Sequence, residues 1–138
     1  MKNLLISFLV LFTIIFFNCT SSKDEADIRL HDIWALDSIG GEKIIIDETV
    51  RNLPVLEIYV KEKRVHGNTG CNTLNGEVNI DGDNITIQNI VVTEMACPGD
   101  LEQRFLTNLN KVKRYKIEKM RLYFFDDKEE LMIFKKID

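Results

Sequence analysis

Across its 138 residues the chain has only two histidines, three cysteines, two prolines and one tryptophan. That scarcity removes several chemistries at once. His31, His66, Cys71 and Cys97 lack the paired Cys-x2–4-Cys or His-x3–5-His spacing of structural zinc sites, so no metal and no cofactor is expected. No Gly-Lys-Ser/Thr follows any glycine loop, which removes the usual phosphate cradle. There is no stripe of arginine and lysine with interleaved aromatics. With 18 basic against 22 acidic side chains, net −4, nucleic acid is not an expected partner. The densest basic stretch, KVKRYK from Lys111 to Lys116, reads as a solvated helix end and strand start, where lysines suit a helix C-terminus. No apolar run reaches the roughly 20 residues of a membrane-spanning helix.

What is present begins with MKNLLISFLVLFTIIFFNC. Lys2 precedes an apolar run from Leu4 to Phe17, too short to span and placed as an export signal is placed. Cys19 follows directly, and the segment resembles a bacterial lipoprotein signal. Asn18 and Phe16 stand where such signals usually carry a small residue and a leucine. The resemblance implies a signal peptide over residues 1–18 and lipidation of Cys19. It also implies an envelope location, on the periplasmic face or the surface of a bacterial outer membrane. Acyl chains add about 0.8 kcal/mol per buried CH₂, and two or more anchor stably. Residues 19–30 then read as a polar tether, without apolar periodicity. Residues 31–138 form the expected domain.

After the tether the apolar period is mostly two. DIWALDSI sets Ile33, Ala35 and Asp37 on one side and Trp34, Leu36 and Ser38 on the other. Gly40-Gly41 marks a turn, and Lys43 to Ile46 is expected as an edge strand. Leu56, Ile58 and Val60 alternate with Glu57 and Tyr59. DGDN at 81–84, between alternating residues, predicts a hairpin. The period changes once. Leu101, Phe105, Leu109 and Val112 fall on one helical face, with Asp100 expected to cap it and Gln103 in the capping-box position. Strands then resume through RYKIEK, RLYFF and ELMIFKKI. The expected fold is mainly β (α+β): a small curved antiparallel sheet closing toward a β-barrel, with one helix before a C-terminal β meander.

One stretch, GNTGCNTLNG from Gly67 to Gly76, has the density of small and polar residues that active-site loops have. A strand rather than a helix follows it, so no helix N-terminus is offered to an anion. Cys71 would need a base. His66 lies five residues away, about 16 Å along an extended path, with no third group to orient it. With Cys19 assigned to the lipid, Cys71 and Cys97 remain as an even pair outside the cytoplasm. A bridge between them is favoured, with two buried reduced cysteines as the alternative. Closing a loop of about 25 residues would stabilise by about 3 kcal/mol in the chain-entropy treatment.

Read together, these pieces carry a resemblance. Trp34 and Leu36, the PVLEI strand, RVHGNTGCNTLNGEV, ITIQNIVVTEMAC and the E-x-x-F-L-x-x-L helix at Glu102–Leu109 are similar to the META domain of the HslJ type over residues 31 to 137. Its specific part is Gly70-Cys71-Asn72 with Thr93, Met95 and Cys97. The resemblance implies a compact barrel-like domain with one helix, commonly exported and often lipid-anchored, some relatives being associated with heat stress or novobiocin resistance. It implies no catalytic residues. Gly67, Gly70, Cys71, Asn72, Gly76, Thr93, Met95 and Cys97 are expected as structural positions, the glycines for positive φ or close approach and Asn72 for a tight corner. The functional expectation is a monomeric, non-enzymatic, lipid-anchored envelope protein that binds a small molecule or another envelope protein. Two alternatives stand beside it: a thiol-redox or cysteine-dependent enzyme using Cys71 and Cys97, and an inhibitor of an extracellular hydrolase.

Overall fold

The structure is a computed structural model that describes residues 27–137. The signal segment, Cys19 and the tether up to residue 26 lie outside the described residues. After a 3-10 turn at Ile28–Leu30 come β1 (Ile33–Ile39), β2 (Glu42–Lys43), β3 (Val55–Tyr59), β4 (Arg64–Asn68), β5 (Thr73–Asp81) and β6 (Asn84–Val92). The helix α1 (Leu101–Leu109) follows, then β7 (Arg114–Glu118), β8 (Arg121–Phe125) and β9 (Glu130–Lys136). All pairings are antiparallel, and each strand from β3 to β9 lies beside its neighbour in sequence. β1 pairs with both β3 and β9, so the nine-stranded sheet closes into a ring, with β2 a short flap on β1. The expected fold class, mainly β with one helix in a closing sheet, is what the chain adopts.

The alternating strands explain the ring. Trp34, Leu36, Leu56, Ile58, Val65, Leu74, Val78, Ile85, Ile87, Leu122, Phe124 and Phe134 all point into one core. Asp81 pairs with Asn84, so the hairpin expected at DGDN is formed, with Gly82-Asp83 rather than Asp81-Gly82 as its two-residue loop and Gly82 at φ +57°. Leu101, Phe105 and Leu109 are buried on the helix as the period predicted, while Val112 is buried just beyond the helix, which ends at Leu109. Phe105 meets Phe134 edge to face at 6.4 Å between ring centres, and Phe134 meets Phe124 at 5.3 Å. The helix lies in the connection between β6 and β7. Among the described residues those strands share one bridge pair, Asn84 with Arg114. Two further backbone bonds hold that seam, Ile85 N to Lys113 O and Tyr115 N to Asp83 O, both 2.9 Å.

Three sequence expectations shift. The fold begins before residue 31: Leu30 is fully buried in the core, and its carbonyl accepts the Trp34 indole N–H at 3.1 Å. Of the run from Lys43 to Ile46, Lys43 alone is in a strand, pairing with Ser38; Ile45 and Ile46 are exposed. The period-two reading of β1 breaks at Asp37. Leu36 pairs with Phe134 and Ser38 with Ile133, leaving Asp37 as a bulge residue. The bulge resets the phase, so that Ile39 as well as Trp34 and Leu36 is buried.

Strand direction sets two ends. β1 leads away from the tether, β3 returns, β4 runs with β1, β5 returns and β6 runs with β1. The corner after β4 and the segment after β6 therefore meet at the end of the ring remote from Asp27.

The bulge also turns Asp37 outward, where Lys135 on β9 and Arg121 on β8 bind its carboxylate at 2.8 and 2.7 Å. Partial burial works to raise its pKa, but the hydrogen bonds from Lys135 and Arg121 outweigh this and hold it below the usual carboxylate value. A carboxylate with a depressed folded-state pKa contributes stability above its unfolded value, about 3.9, and loses it as pH falls through the folded value. In denaturant titrations below about pH 4, Asp37→Asn is expected to flatten part of the wild-type decline in stability. An unchanged pH slope in the variant would show that this ion pair does not tie the closing strands.

Candidate functional site

Residues 67–73 turn the chain from β4 into β5, and glycine is required twice at the approach. A Cβ at Gly67 would lie 2.0 Å from the Val55 carbonyl oxygen, inside the β3–β4 contact. Gly70 has φ +91°, and a Cβ there would lie 2.7 Å from the Asn52 oxygen. The corner itself is closed by Thr69, which is fully buried: its amide donates to the Asn72 carbonyl at 2.8 Å and its hydroxyl accepts the Asn72 amide at 2.9 Å. Gly76 sits further along β5, where a Cβ would crowd Gln88 O and Val65 Cγ1 at 3.2 Å.

Asn72 is buried, and its side-chain amide ties three segments together. Its Oδ1 accepts the Thr93 hydroxyl and the Met95 amide, each at 2.8 Å. Its Nδ2 donates to the Met95 carbonyl at 3.0 Å and to the Glu102 carboxylate at 3.0 and 3.2 Å. The Cys97 sulfur also lies 3.0 Å from Nδ2. Thr93 in turn accepts the Thr73 amide at 3.1 Å. Met95 therefore acts through its backbone, while its side chain stands 60% exposed at the rim. Next to this network the sulfurs of Cys71 and Cys97 lie at disulfide distance, with Cα atoms 5.9 Å apart.

Glu102 and Thr69 were not picked out as site residues from the sequence. Glu102 lies in the first turn of α1, beside buried Leu101, and its Oε1 accepts the Thr69 hydroxyl at 2.5 Å. The detectable signal is an acid one residue after the first buried helix position, just downstream of TEMAC. The expected cap is not made. Asp100 has φ −118° and ψ 0° and no side-chain cap bond. That backbone lacks the extended geometry that folds a cap side chain over the first amides. Glu102 turns inward to Asn72 instead.

Together these groups floor a cleft of about 260 Å³, walled by Val50, Met95, Pro98 and Leu101, with Glu102 and the Cys71–Cys97 pair at its base. The histidines belong elsewhere. His66 on β4 faces Asn75 Oδ1 at 2.9 Å, and His31 takes the Val60 amide at 3.3 Å and stacks edge-on against Tyr59. Among the described residues no three His, Cys, Asp or Glu side chains are grouped to hold a metal ion, and no helix is long and apolar enough to cross a membrane.

The META domain matches residues 26–138. The chain belongs to the META domain family. Its motif residues Gly70, Cys71, Asn72, Thr93, Met95 and Cys97 meet at one corner of the META fold. A crystal structure of a DUF4847 family protein from Bacteroides vulgatus is similar at 16% identity, with TM-score 0.61 over 80% of this chain and 97% of that one. An NMR structure of a protein from Burkholderia xenovorans is similar at 16% identity, with TM-score 0.60 over 78% of this chain and 82% of that one. These likenesses concern the fold. No curated protein matches the chain.

Removing the Asn72 amide strands buried partners on three segments. Asn72→Ala is expected to destabilise the META domain by about 3 kcal/mol in urea titration. Asn72→Asp is expected to be worse at neutral pH, because a carboxylate would face Glu102, and to recover as the solution is acidified and one of the pair takes a proton. Equal stability of the Asp variant at both pH values would remove the Asn72–Glu102 contact from the account.

Proposed function

We propose that this chain is a lipid-anchored cell-envelope protein whose META domain is a non-catalytic binding module, taking a small molecule or a projecting segment of an envelope protein in the cleft beside Cys71–Cys97. The observation that carries this is the cleft's construction. Its exposed lining is more apolar than polar, Arg51, Thr49 and Asn52 also line it, and its one carboxylate, Glu102, is held by Thr69 and Asn72 rather than left mobile. Ligand sites combine apolar lining with placed polar groups in this way, and at about 260 Å³ this cleft is slightly smaller than their usual range of about 300–1,000 Å³, a size for a small ligand or a single side chain. The non-catalytic reading is supported by a Cys71 sulfur engaged with Cys97 and by histidines bonded to other partners. Anchoring rests on the signal-like residues 1–18 and Cys19.

The half-buried sulfurs at the cleft also favour a second reading, thiol exchange. Alkylation mass spectrometry under mild reductant separates the two: unlabelled Cys71 and Cys97 fit a structural bridge, and ready labelling fits exchange.

Two outcomes are expected. Cys19→Ser abolishes acyl mass and membrane fractionation of the full chain; a variant that still sediments with membranes, from a parent without acyl mass, overturns the anchor. Ala96→Trp at the exposed cleft rim removes bound molecules seen by native mass spectrometry, or co-purifying partners, without lowering thermal stability. Full retention of binding in that variant would place the ligand elsewhere.

A further inference from the structure

The tether leaves the domain at a defined place. Leu30 is locked in the core, the Leu30 amide bonds Asp27 O at 2.9 Å, and Asp27 pairs with Arg29 at 2.5 Å. From Cys19 to Asp27 is eight residues, so a lipidated Cys19 lies within about 28 Å of Asp27 even when the tether is fully extended. A lipid on Cys19 would thus keep the end of the ring around Asp27 within about 28 Å of the surface that carries it. The other end, with the cleft, is a strand length farther away.

That near end has the chemistry of a lipid-facing surface. It consists of residues 27–33, the β3–β4 turn at 60–64, the β5–β6 turn at 81–84, the β7–β8 turn at 116–121, and residues 135–137. With Asp37, which holds Arg121 and Lys135, counted among them, nine basic side chains stand there against seven acidic ones, and Lys136 pairs with Asp32. Asp27 and Glu118 are ion-paired with Arg29 and Lys116, while Lys61, Lys63 and Lys119 project from exposed turns. Ile28 and Met120 are more than 60% exposed among them. The remote end, residues 40–54, 69–72, 93–100 and 126–130, reverses the sign, with three basic and nine acidic side chains. An anionic surface attracts the first end and repels the second.

We propose that the tether end lies on a bilayer with anionic headgroups, Lys61, Lys63 and Lys119 at the headgroups and Ile28 and Met120 against the interface, so that the disulfide cleft faces away from the membrane. This rests on the lipid-anchor reading above.

Trp34, the one tryptophan in the sequence and buried at the tether end, is the probe. The acylated full chain is reconstituted with vesicles of phosphatidylcholine alone, or of an equal mixture with phosphatidylglycerol, each carrying a trace of dansyl lipid. Flotation reports anchoring; energy transfer from Trp34 to dansyl reports orientation. The chain is expected to float with both vesicles and to transfer more to the anionic ones. The excess is expected to disappear in high salt and in the triple variant Lys61→Glu, Lys63→Glu, Lys119→Glu. Flotation with both but identical transfer in both, unchanged by the variant, overturns the orientation and leaves the anchor standing. Flotation with the anionic vesicles alone overturns the lipid anchor and supports the basic surface. Flotation with neither overturns both.

Discussion

One carboxamide fixes the geometry of the far end of this molecule. Asn72 is too deep for water to serve its side chain, so each of its polar atoms must find protein partners or destabilise the fold. The partners it finds are the Thr93 hydroxyl, both backbone groups of Met95 and the Glu102 carboxylate. A shift of any one segment leaves the others with unmet bonds. The corner after β4, the segment after β6 and the first turn of α1 consequently move as one body. The Cys71–Cys97 link then crosses a gap already closed by hydrogen bonds.

Glu102 gains its role from the same constraint. A carboxylate in the first helical turn is favoured there by the helix dipole, and that term alone would leave it pointing to solvent. Two neutral donors, Thr69 and Asn72, draw it into the cleft instead. The result is a carboxylate of fixed direction in a cleft that Val50, Pro98 and Leu101 line with apolar surface and Arg51 with a cation, so a ligand there would meet placed polar groups as well as apolar ones.

How far the sequence discloses this differs from element to element. The helix was legible because Leu101, Phe105, Leu109 and Val112 repeat at helical spacing, and the β5–β6 turn because Asp-Gly needs no distant partner to take its shape. The corner at 67–72 was legible as a corner, its glycines being demanded by neighbours such as Val55 and Asn52. The β1 bulge was not, since whether Asp37 is an inserted residue depends on the register chosen by β9, about a hundred residues downstream. The Lys43–Ile46 run misled for a related reason: apolar composition fits a strand, but only Glu42 and Lys43 find a pairing edge. Glu102 stayed hidden because its meaning lies in Thr69 and Asn72, some thirty residues upstream. Local propensity reads out single elements; partners distant in sequence assign the polar groups between them.

The closure of the ring bears on the order in which the chain acquires its shape. Every pairing from β3 to β9 joins strands consecutive in sequence, so most of the sheet can zip from one hairpin to the next at small entropic cost. Pairing of β1 with β9 is the exception and brings together residues nearly a hundred positions apart. Until β9 docks, β1 has β3 along one edge while its other edge stays open to any passing strand. Cys71 and Cys97, 26 residues apart, can meet well before that. The corner that forms the cleft can thus be complete while the ring is still a strip, and the last strand delivered is the one that makes the fold closed.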